Sequence, residues 1–145
     1  MRTMIDEVDE KIIEALMENA KLTYKELAEK LKMKESTVRK RVLNLIKNKV
    51  IKKFTITVDP VKLGKNSIAI IGIEVDPSTL LTTAQKLSEI PEAKFVATST
   101  GDHMIMMEVW AKDGKDLTRI ISEKIAKIDG VKKICPSIIL EKIKE

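Results

Sequence analysis

The sequence of 145 residues is poor in several residue types on which protein chemistry often depends: it has one cysteine, one histidine, four prolines and five glycines. The lone cysteine, Cys135, excludes a disulfide bridge within the chain. No apolar run approaches the roughly 20 residues that a membrane-spanning helix needs, and the N-terminus lacks the apolar segment of a signal peptide. We therefore expect a cytoplasmic protein with no membrane association.

The same scarcity limits the possible catalytic and metal sites. His103 is the only histidine, so one chain cannot supply a pair of histidines to a metal ion or a reaction centre. The sequence also lacks a glycine-rich loop that could cradle phosphate groups. These absences predict a protein that is not an enzyme and has no cofactor or metal ion, while a site shared between subunits of an oligomer stays open.

Charge is distributed unevenly along the chain. Residues 1–66 contain 16 basic and 10 acidic residues, whereas residues 67–145 contain 11 basic and 12 acidic residues. Between Lys30 and Lys53 there are 10 basic residues and one acidic residue, Glu35. Because neutralising phosphates with lysine and arginine releases counterions, such a segment favours a nucleic-acid partner. A lysine-rich surface that is merely solvated is the alternative explanation of the charge alone.

Residues 23–51 have the pattern of two short helices in tandem. Thr23 followed three residues later by Glu26 is a capping box, which predicts the start of a helix. A break at Lys32 precedes a second helix with apolar residues on one face and cations and hydroxyls on the other. This pattern is typical of a helix-turn-helix, whose second helix can lie in the major groove of double-stranded DNA. A preceding helix over residues 6–19 completes a helix-turn-helix domain of the winged-helix type.

Helical spacing places the candidate DNA contacts. Ser36, Thr37 and Lys40 lie on the outward face of the N-terminal part of the second helix, which reads base edges in such motifs, and Arg39 and Arg41 flank that face. The start of the preceding helix is expected to face the DNA backbone, since helix N-termini bind phosphate. The predicted DNA-binding residues are Thr23, Tyr24, Lys25, Lys34, Ser36, Thr37, Arg39, Lys40 and Arg41.

The remaining chain reads as a linker strand and an α+β domain. The run VIKKFTITV over residues 50–58 is rich in β-branched residues and predicts a strand. From Ser67 onwards, strand and helix patterns follow in the order β-α-β-β-α-β, which is the ferredoxin-like arrangement. We expect an α+β protein with three parts: a helix-turn-helix domain (residues 1–51), a linker strand and hinge (52–65), and a ferredoxin-like domain (66–145).

Two strands of the second domain carry apolar residues on both faces. In the first and third strands, Ile68, Ile70, Met104, Met106 and Trp110 alternate with a second set of apolar side chains. Two helices cover only one face of a four-stranded sheet, and a wet face should be polar. An uncovered apolar face marks an interaction site, so the pattern favours a symmetric dimer packed sheet to sheet. The alternative is that the N-terminal bundle folds over that face.

With these elements in place, the sequence resembles the Lrp/AsnC (feast/famine) family of transcription regulators over nearly its whole length. The similarity lies in the initial IDEVDEKIIEAL, the helix-turn-helix, VIKKFTITVDPVKLG at residues 50–64, TGDHM at 100–104 and GVKKICPSIIL at 130–140. It implies that the N-terminal domain binds DNA and that the linker strand helps to pair chains. It also implies that the C-terminal domain dimerises, assembles further into rings such as octamers, and binds an amino acid between subunits.

The family pattern also places an effector site, and this chain departs from it. The implied residues are Gly101, Asp102, His103, Met104, Ile134, Pro136 and Ser137. Asp102 can accept from a ligand ammonium group, and Gly101 leaves room for backbone contacts. Met104 stands where relatives tend to have a second acid, and the last strand has fewer hydroxyls than relatives tend to have. We therefore expect a ligand with an apolar or thioether side chain, or no ligand.

Three lysines depart from the family pattern in the first domain. Lys32 and Lys49 stand where glycine is common, and Lys34 stands where a small hydroxyl often caps the recognition helix. A cation at the positive end of a helix is unfavourable unless a phosphate lies nearby, which makes Lys34 a predicted phosphate contact.

Two other functions share these features. An architectural, chromatin-like protein would bind DNA without sequence preference, and a metabolite sensor acting through another protein would retain an unused DNA domain.

Overall fold

The computed structural model describes residues 4–145. By contacts between residues the chain divides into two compact units, Met1–Thr57 and Val58–Glu145, and the division falls inside the segment 52–65. Among residues 4–145, every helix is too short or too polar to span a bilayer.

The first unit is a bundle of three helices: α1 (Glu7–Glu18), α2 (Tyr24–Leu31) and α3 (Glu35–Lys47). Their inward faces bury Ile12, Leu27 and Val38 to 1% exposure or less. Capping boxes at Asp6 and Thr23 start α1 and α2, because each side-chain oxygen accepts from the backbone N–H three residues later. The box at Thr23 and the start of α1 near residue 6 were predicted from the sequence. Caps and apolar stripes together therefore explain where the first two helices begin and which faces they bury.

An ion-pair cluster ties α3 to the start of α1. The Arg41 guanidinium donates to Asp6 Oδ2 at 2.6 Å and to Asp9 Oδ1 at 3.1 Å. The hydrogen bond from Arg41 holds the pKa of Asp6 below its usual value, and the bond to Asp6 raises the pKa of Arg41. These contacts fix the start of α1 against the middle of α3, and they leave the polar face of α3 turned toward solvent.

Lys32 and Lys49 adopt the left-handed backbone conformation, with φ of 55° and 57°. The first follows the last turn of α2, and the second lies two residues beyond α3. This conformation brings Cβ too close to the following carbonyl oxygen and disfavours residues other than glycine by about 1–2 kcal/mol. Two sharp turns that favour glycine are thus made here with lysine.

Two expectations for this region are not met within the described chain. The run 50–58, predicted as a strand, forms no strand pairing with any described segment of the same chain. A strand is held by hydrogen bonds to a neighbour, and Phe54 and Ile56 remain 51% and 77% exposed. Residues 4–57 contain no strand at all, so the bundle lacks the β-hairpin of a winged helix.

The second unit is a four-stranded antiparallel sheet with helices on one face. Its strands are β1 (Ser67–Val75), β2 (Ala93–Thr98), β3 (Ile105–Ala111) and β4 (Val131–Ile138), in the spatial order β2-β3-β1-β4. The helices are α4 (Leu80–Ser88) and α5 (Gly114–Ile120), and α5 continues as a π-helical turn over Ile121–Ile125. Short 3-10 turns lie at Val61–Leu63 and Pro77–Thr79. The predicted ferredoxin-like order is confirmed.

The two faces of this sheet differ, as the alternating pattern predicts. On β3, Ile105, Met107 and Val109 are fully buried in the core beneath the helices, whereas Met106 and Trp110 on the opposite face are partly exposed. We call this opposite face, with Ile70, Met106, Trp110, Phe95 and Glu108, the helix-free face. Met104 was predicted on it but packs instead against the core, because it precedes β3 and joins the β1 edge through its N–H to Ile73 O.

Candidate nucleic-acid interface and effector turn

The outward face of α3 presents a polar surface. Ser36, Thr37, Arg39 and Lys40 are all exposed, while Val38, Val42 and Leu45 on the other side are buried. An open groove runs along this surface. Its lining residues are Met4, Asp9, Ser36, Thr37, Lys40, Arg41, Asn44, Leu45 and Asn48. The groove includes two asparagines, Asn44 and Asn48, that the sequence-based site omitted although four-residue spacing aligns them with Ser36 and Lys40.

Arg39 is held by an aromatic ring from the neighbouring helix. Its guanidinium carbon lies 5.2 Å from the centroid of the Tyr24 ring, which is within the range of a cation–π contact. Tyr24 is the first residue of α2, so this contact joins the beginning of α2 to the recognition surface. Stacking over the ring leaves the guanidinium N–H groups available for hydrogen bonds in its plane.

Arg41 occupies a different position. It lies near the same polar surface, but its side chain is only 30% exposed and bonds Asp6 and Asp9. A guanidinium that serves two carboxylates within the bundle has fewer N–H groups left for a base. The structure therefore separates the two arginines that the sequence treats alike: Arg39 faces solvent, and Arg41 joins α1 to α3.

The start of α3 differs from the starts of α1 and α2. Its N-cap residue is Lys34, whose side chain makes no capping hydrogen bond, so the first amides of α3 lack the side-chain acceptor that the other two helices have. Free N–H groups and the helix dipole favour an anion there. At the start of α2 the Thr23 hydroxyl already accepts from the Glu26 N–H, and the Glu26 carboxylate accepts from the Thr23 N–H, while Lys25 is exposed.

The predicted effector turn joins β2 to β3. Gly101 has a φ of 101° and open space around it, and both Gly101 and Asp102 are exposed. The turn is closed by the Ser99 N–H, which donates to Met104 O at 2.9 Å, and by the Ser99 hydroxyl, which donates to His103 O at 2.5 Å. Asp102 is thus presented at the tip of a braced turn.

The His103 ring lies over Gly72 in the middle of β1. A Cβ built on Gly72 would stand 2.4 Å from the ring carbon Cδ2 of His103, so only glycine allows this approach. The His103 Nδ1 atom is buried and has no hydrogen-bond partner among the described residues. The signal for this contact was the single glycine inside the apolar run IAIIGIEV, because an isolated glycine in a strand often marks a close approach.

The remaining predicted effector residues lie on β4, on the other side of β1 from the turn. Ile134, like Met104, is half-buried and packs against the core, whereas Pro136 and Ser137 are exposed. Ile134 pairs with Ile73, whose carbonyl accepts from the Met104 N–H, and Pro136 pairs with Ile71, next to Gly72. Because β1 lies between β3 and β4, the turn and β4 are not hydrogen-bonded neighbours in the sheet.

Comparisons with known proteins cover both units. The AsnC-type helix-turn-helix domain model matches residues 5–46, and the Lrp/AsnC ligand binding domain model matches residues 68–145. The chain is 48% identical to the transcriptional regulator LrpA of Pyrococcus horikoshii, covering 97% of this chain and 100% of that protein. The structure of AsnC from E. coli matches with a TM-score of 0.85 at 28% identity, covering 99% of this chain and 97% of that one. A Neisseria meningitidis regulator solved as an L-Met complex has the same fold, with a TM-score of 0.88 at 21% identity, covering 98% and 94%.

The contact between His103 and Gly72 generates a prediction. Gly72→Ala should displace the imidazole and lower the free energy of unfolding by about 1–3 kcal/mol, the usual range for an overpacked site. In a His103→Ala background the same change should have little effect, because the clashing ring is gone. Chemical denaturation of the four proteins measures this coupling, and equal effects of Gly72→Ala in both backgrounds would contradict the contact.

Proposed function

Because this chain belongs to the Lrp/AsnC family of transcriptional regulators, we propose that it recognises a specific double-stranded DNA site through α3. The observation that carries this proposal is the placement of Arg39, stacked on Tyr24 at an exposed helix surface whose first amides lack a cap. An arginine can donate two hydrogen bonds to guanine and so distinguish one base pair from the others. The protein then acts by binding DNA and not by catalysis.

The roles of the polar residues follow from their surroundings. Arg39 reads a base, Ser36, Thr37 and Lys40 contact neighbouring base edges or phosphates, and Lys34 with the open amides of α3 holds a phosphate. Tyr24 positions Arg39, and Lys25 meets the DNA backbone. Arg41 keeps α3 in place, so its contribution to base recognition is indirect.

The helix-free face supports pairing of two chains. Ile70, Met106 and Trp110 are only partly covered there, and Phe95 is 53% exposed. Glu108 lies among them, but Lys142 Nζ is 2.6 Å from its Oε1, so the carboxylate already has a partner that offsets the cost of burial. A second copy packed on this face makes a symmetric dimer. Its two α3 helices would then meet major grooves about one helical turn, roughly 34–36 Å, or a multiple apart.

An amino-acid effector fits the braced turn only in part. Asp102 is exposed and can accept from an ammonium group, but β1 lies between the strand that follows the turn and β4, which carries Ser137. The remaining ligand contacts would have to come from another subunit. Because Met104 stands where relatives tend to have a second acid, we propose a thioether or branched aliphatic amino acid, and the L-Met complex of the Neisseria regulator makes methionine the first ligand to test.

The two arginines should respond differently to mutation. Arg39→Ala should relax base choice at one position of the site, at a loss of about 1–3 kcal/mol in specific binding, with little change in protein stability. Arg41→Ala should instead lower the melting temperature, because Asp6 and Asp9 lose their partner. Tyr24→Leu should weaken specific binding, whereas Tyr24→Phe, which keeps the ring, should not.

Selection of bound DNA from a random pool, followed by titrations at fixed salt, measures these effects. A palindromic motif is expected for the parent protein. Equal affinity for all sequences would indicate an architectural protein instead, and unchanged binding by a variant carrying both Arg39→Ala and Lys40→Ala would show that this surface does not contact DNA.

Pairing through the helix-free face predicts the effect of a buried charge. Met106→Asp should yield monomers, because an unpaired carboxylate would be buried in the interface. Leu81→Asp is the matched control, since Leu81 is 77% exposed on α4, on the other side of the sheet, and its replacement should leave the mass unchanged. Light scattering at micromolar concentration measures the mass, and a monomeric parent or a dimeric Met106→Asp protein would contradict the proposal.

Effector binding predicts a selective thermal shift. Among the twenty amino acids, methionine or a branched aliphatic one should raise the melting temperature, since a ligand at 100 times its Kd stabilises by about 2.7 kcal/mol. The shift should disappear in Asp102→Asn and persist in Asp129→Asn, which alters an exposed aspartate elsewhere in the same unit. A response only to acidic amino acids, or to none of the twenty, would exclude this ligand class.

A further inference from the structure

Two lysines hold a backbone conformation that glycine would adopt more easily. Lys32, at the end of α2, has a φ of 55°, and Lys49, two residues after α3, has a φ of 57°. They are the only residues other than glycine with positive φ in the described part of the chain. Stability alone therefore favours glycine at both positions.

No contact within the chain accounts for the choice of lysine. Both side chains are exposed, and among residues 4–145 neither forms an ion pair. The hydrogen bonds at these positions come from the backbone: the Lys32 N–H donates to Glu29 O, and the Lys49 N–H donates to Ile46 O at 3.0 Å. Glycine would make the same bonds, so these bonds do not explain the choice of lysine.

The two positions bracket α3. With 13 residues, α3 is about 20 Å long, which exceeds the major-groove width of about 12 Å. A helix of this length in the groove brings its ends close to the sugar-phosphate backbones on either side. Backbone strain retained at surface positions is characteristic of functional sites.

We propose that Lys32 and Lys49 bind phosphates on opposite sides of the groove that α3 enters, which makes them DNA contacts beyond the recognition face itself. This inference rests on the proposed function, because it requires α3 to lie in the groove. The charge arrangement agrees with it. Lys32 and Lys34 place two cations near the positive end of α3, where Glu35 is the one acidic residue of the first turn, and a bound phosphate would stabilise them further. At the other end Lys47, inside the helix, already complements the dipole without strain.

Substitutions at each position separate charge from strain. Replacement by glycine removes the charge and the backbone strain. Replacement by alanine removes the charge but keeps the Cβ that causes the strain, and replacement by arginine keeps the charge and the strain. Lys32→Gly and Lys49→Gly should raise the melting temperature by a few degrees and weaken binding to all DNA sequences alike. The slope of log K against log salt should become shallower by about 0.9 for each phosphate that a variant no longer neutralises. The alanine variants should bind DNA as weakly as the glycine variants without the gain in melting temperature, and the arginine variants should bind as the parent does.

Lys30→Ala is the matched control, because Lys30 lies within α2 and pairs with Glu18 at 3.6 Å. It also removes one positive charge, yet it should leave the salt slope unchanged. If the glycine and alanine variants bind with the parent's affinity and salt slope, the inference is overturned. A slope reduced as much by Lys30→Ala as by Lys32→Ala would overturn it too, since net charge alone would then explain the weaker binding.

The parent and Arg39→Ala proteins are measured in the same titrations, so that failure of the proposed function can be distinguished from failure of this inference. A parent without sequence preference contradicts the proposed function. A sequence-specific parent whose Lys32 and Lys49 variants behave normally contradicts this inference only.

Discussion

The orientation of the polar α3 surface, which we propose faces DNA, depends on the ion pairs that join Arg41 of α3 to Asp6 and Asp9 at the start of α1. Apolar packing of Leu27, Val38 and Leu45 brings the helices together, and the two directed hydrogen bonds of Arg41 add a specific contact between α1 and α3. Holding Arg41 inward leaves Arg39, two residues earlier, on the solvent side. Arg41 therefore stabilises the bundle, while Arg39 stays exposed and contacts the Tyr24 ring.

A second constraint governs the C-terminal unit: two helices can cover only one face of its sheet. The core residues of β1 and β3 fill the covered face, and the helix-free face keeps partly exposed apolar residues such as Met106 and Trp110. The Glu108 carboxylate on that face is matched by Lys142, whose pKa the carboxylate raises. Apolar surface together with a neutralised charge is what a surface that becomes buried in an interface requires. The proposed dimer is in this view a consequence of the two-layer architecture.

Local conformations that disfavour ordinary residues occur where a functional surface is proposed. Lys32 and Lys49 keep left-handed backbone angles at the ends of α3, and Gly72 leaves room for the His103 ring beside the turn that carries Asp102. By local preference, lysine is a poor choice for a left-handed backbone and glycine is a poor choice inside a strand. We attribute the lysines to the proposed phosphate contacts and the glycine to the imidazole ring that packs on it.

The sequence by itself determined the elements of this fold, because caps and apolar periodicity act over a few residues: the capping box at Thr23, the start of the second domain's first strand at Ser67 and the order of strands and helices were all predictable. It also indicated the polar face of α3, since helical spacing alone assigns it. Only the tertiary structure separated Arg39 from Arg41, placed Met104 and Ile134 against the core and left residues 50–58 unpaired within the described chain. Those outcomes depend on contacts between residues distant in sequence, such as Arg41 with Asp6, and a strand or ion pair forms only where its partner has been brought within reach.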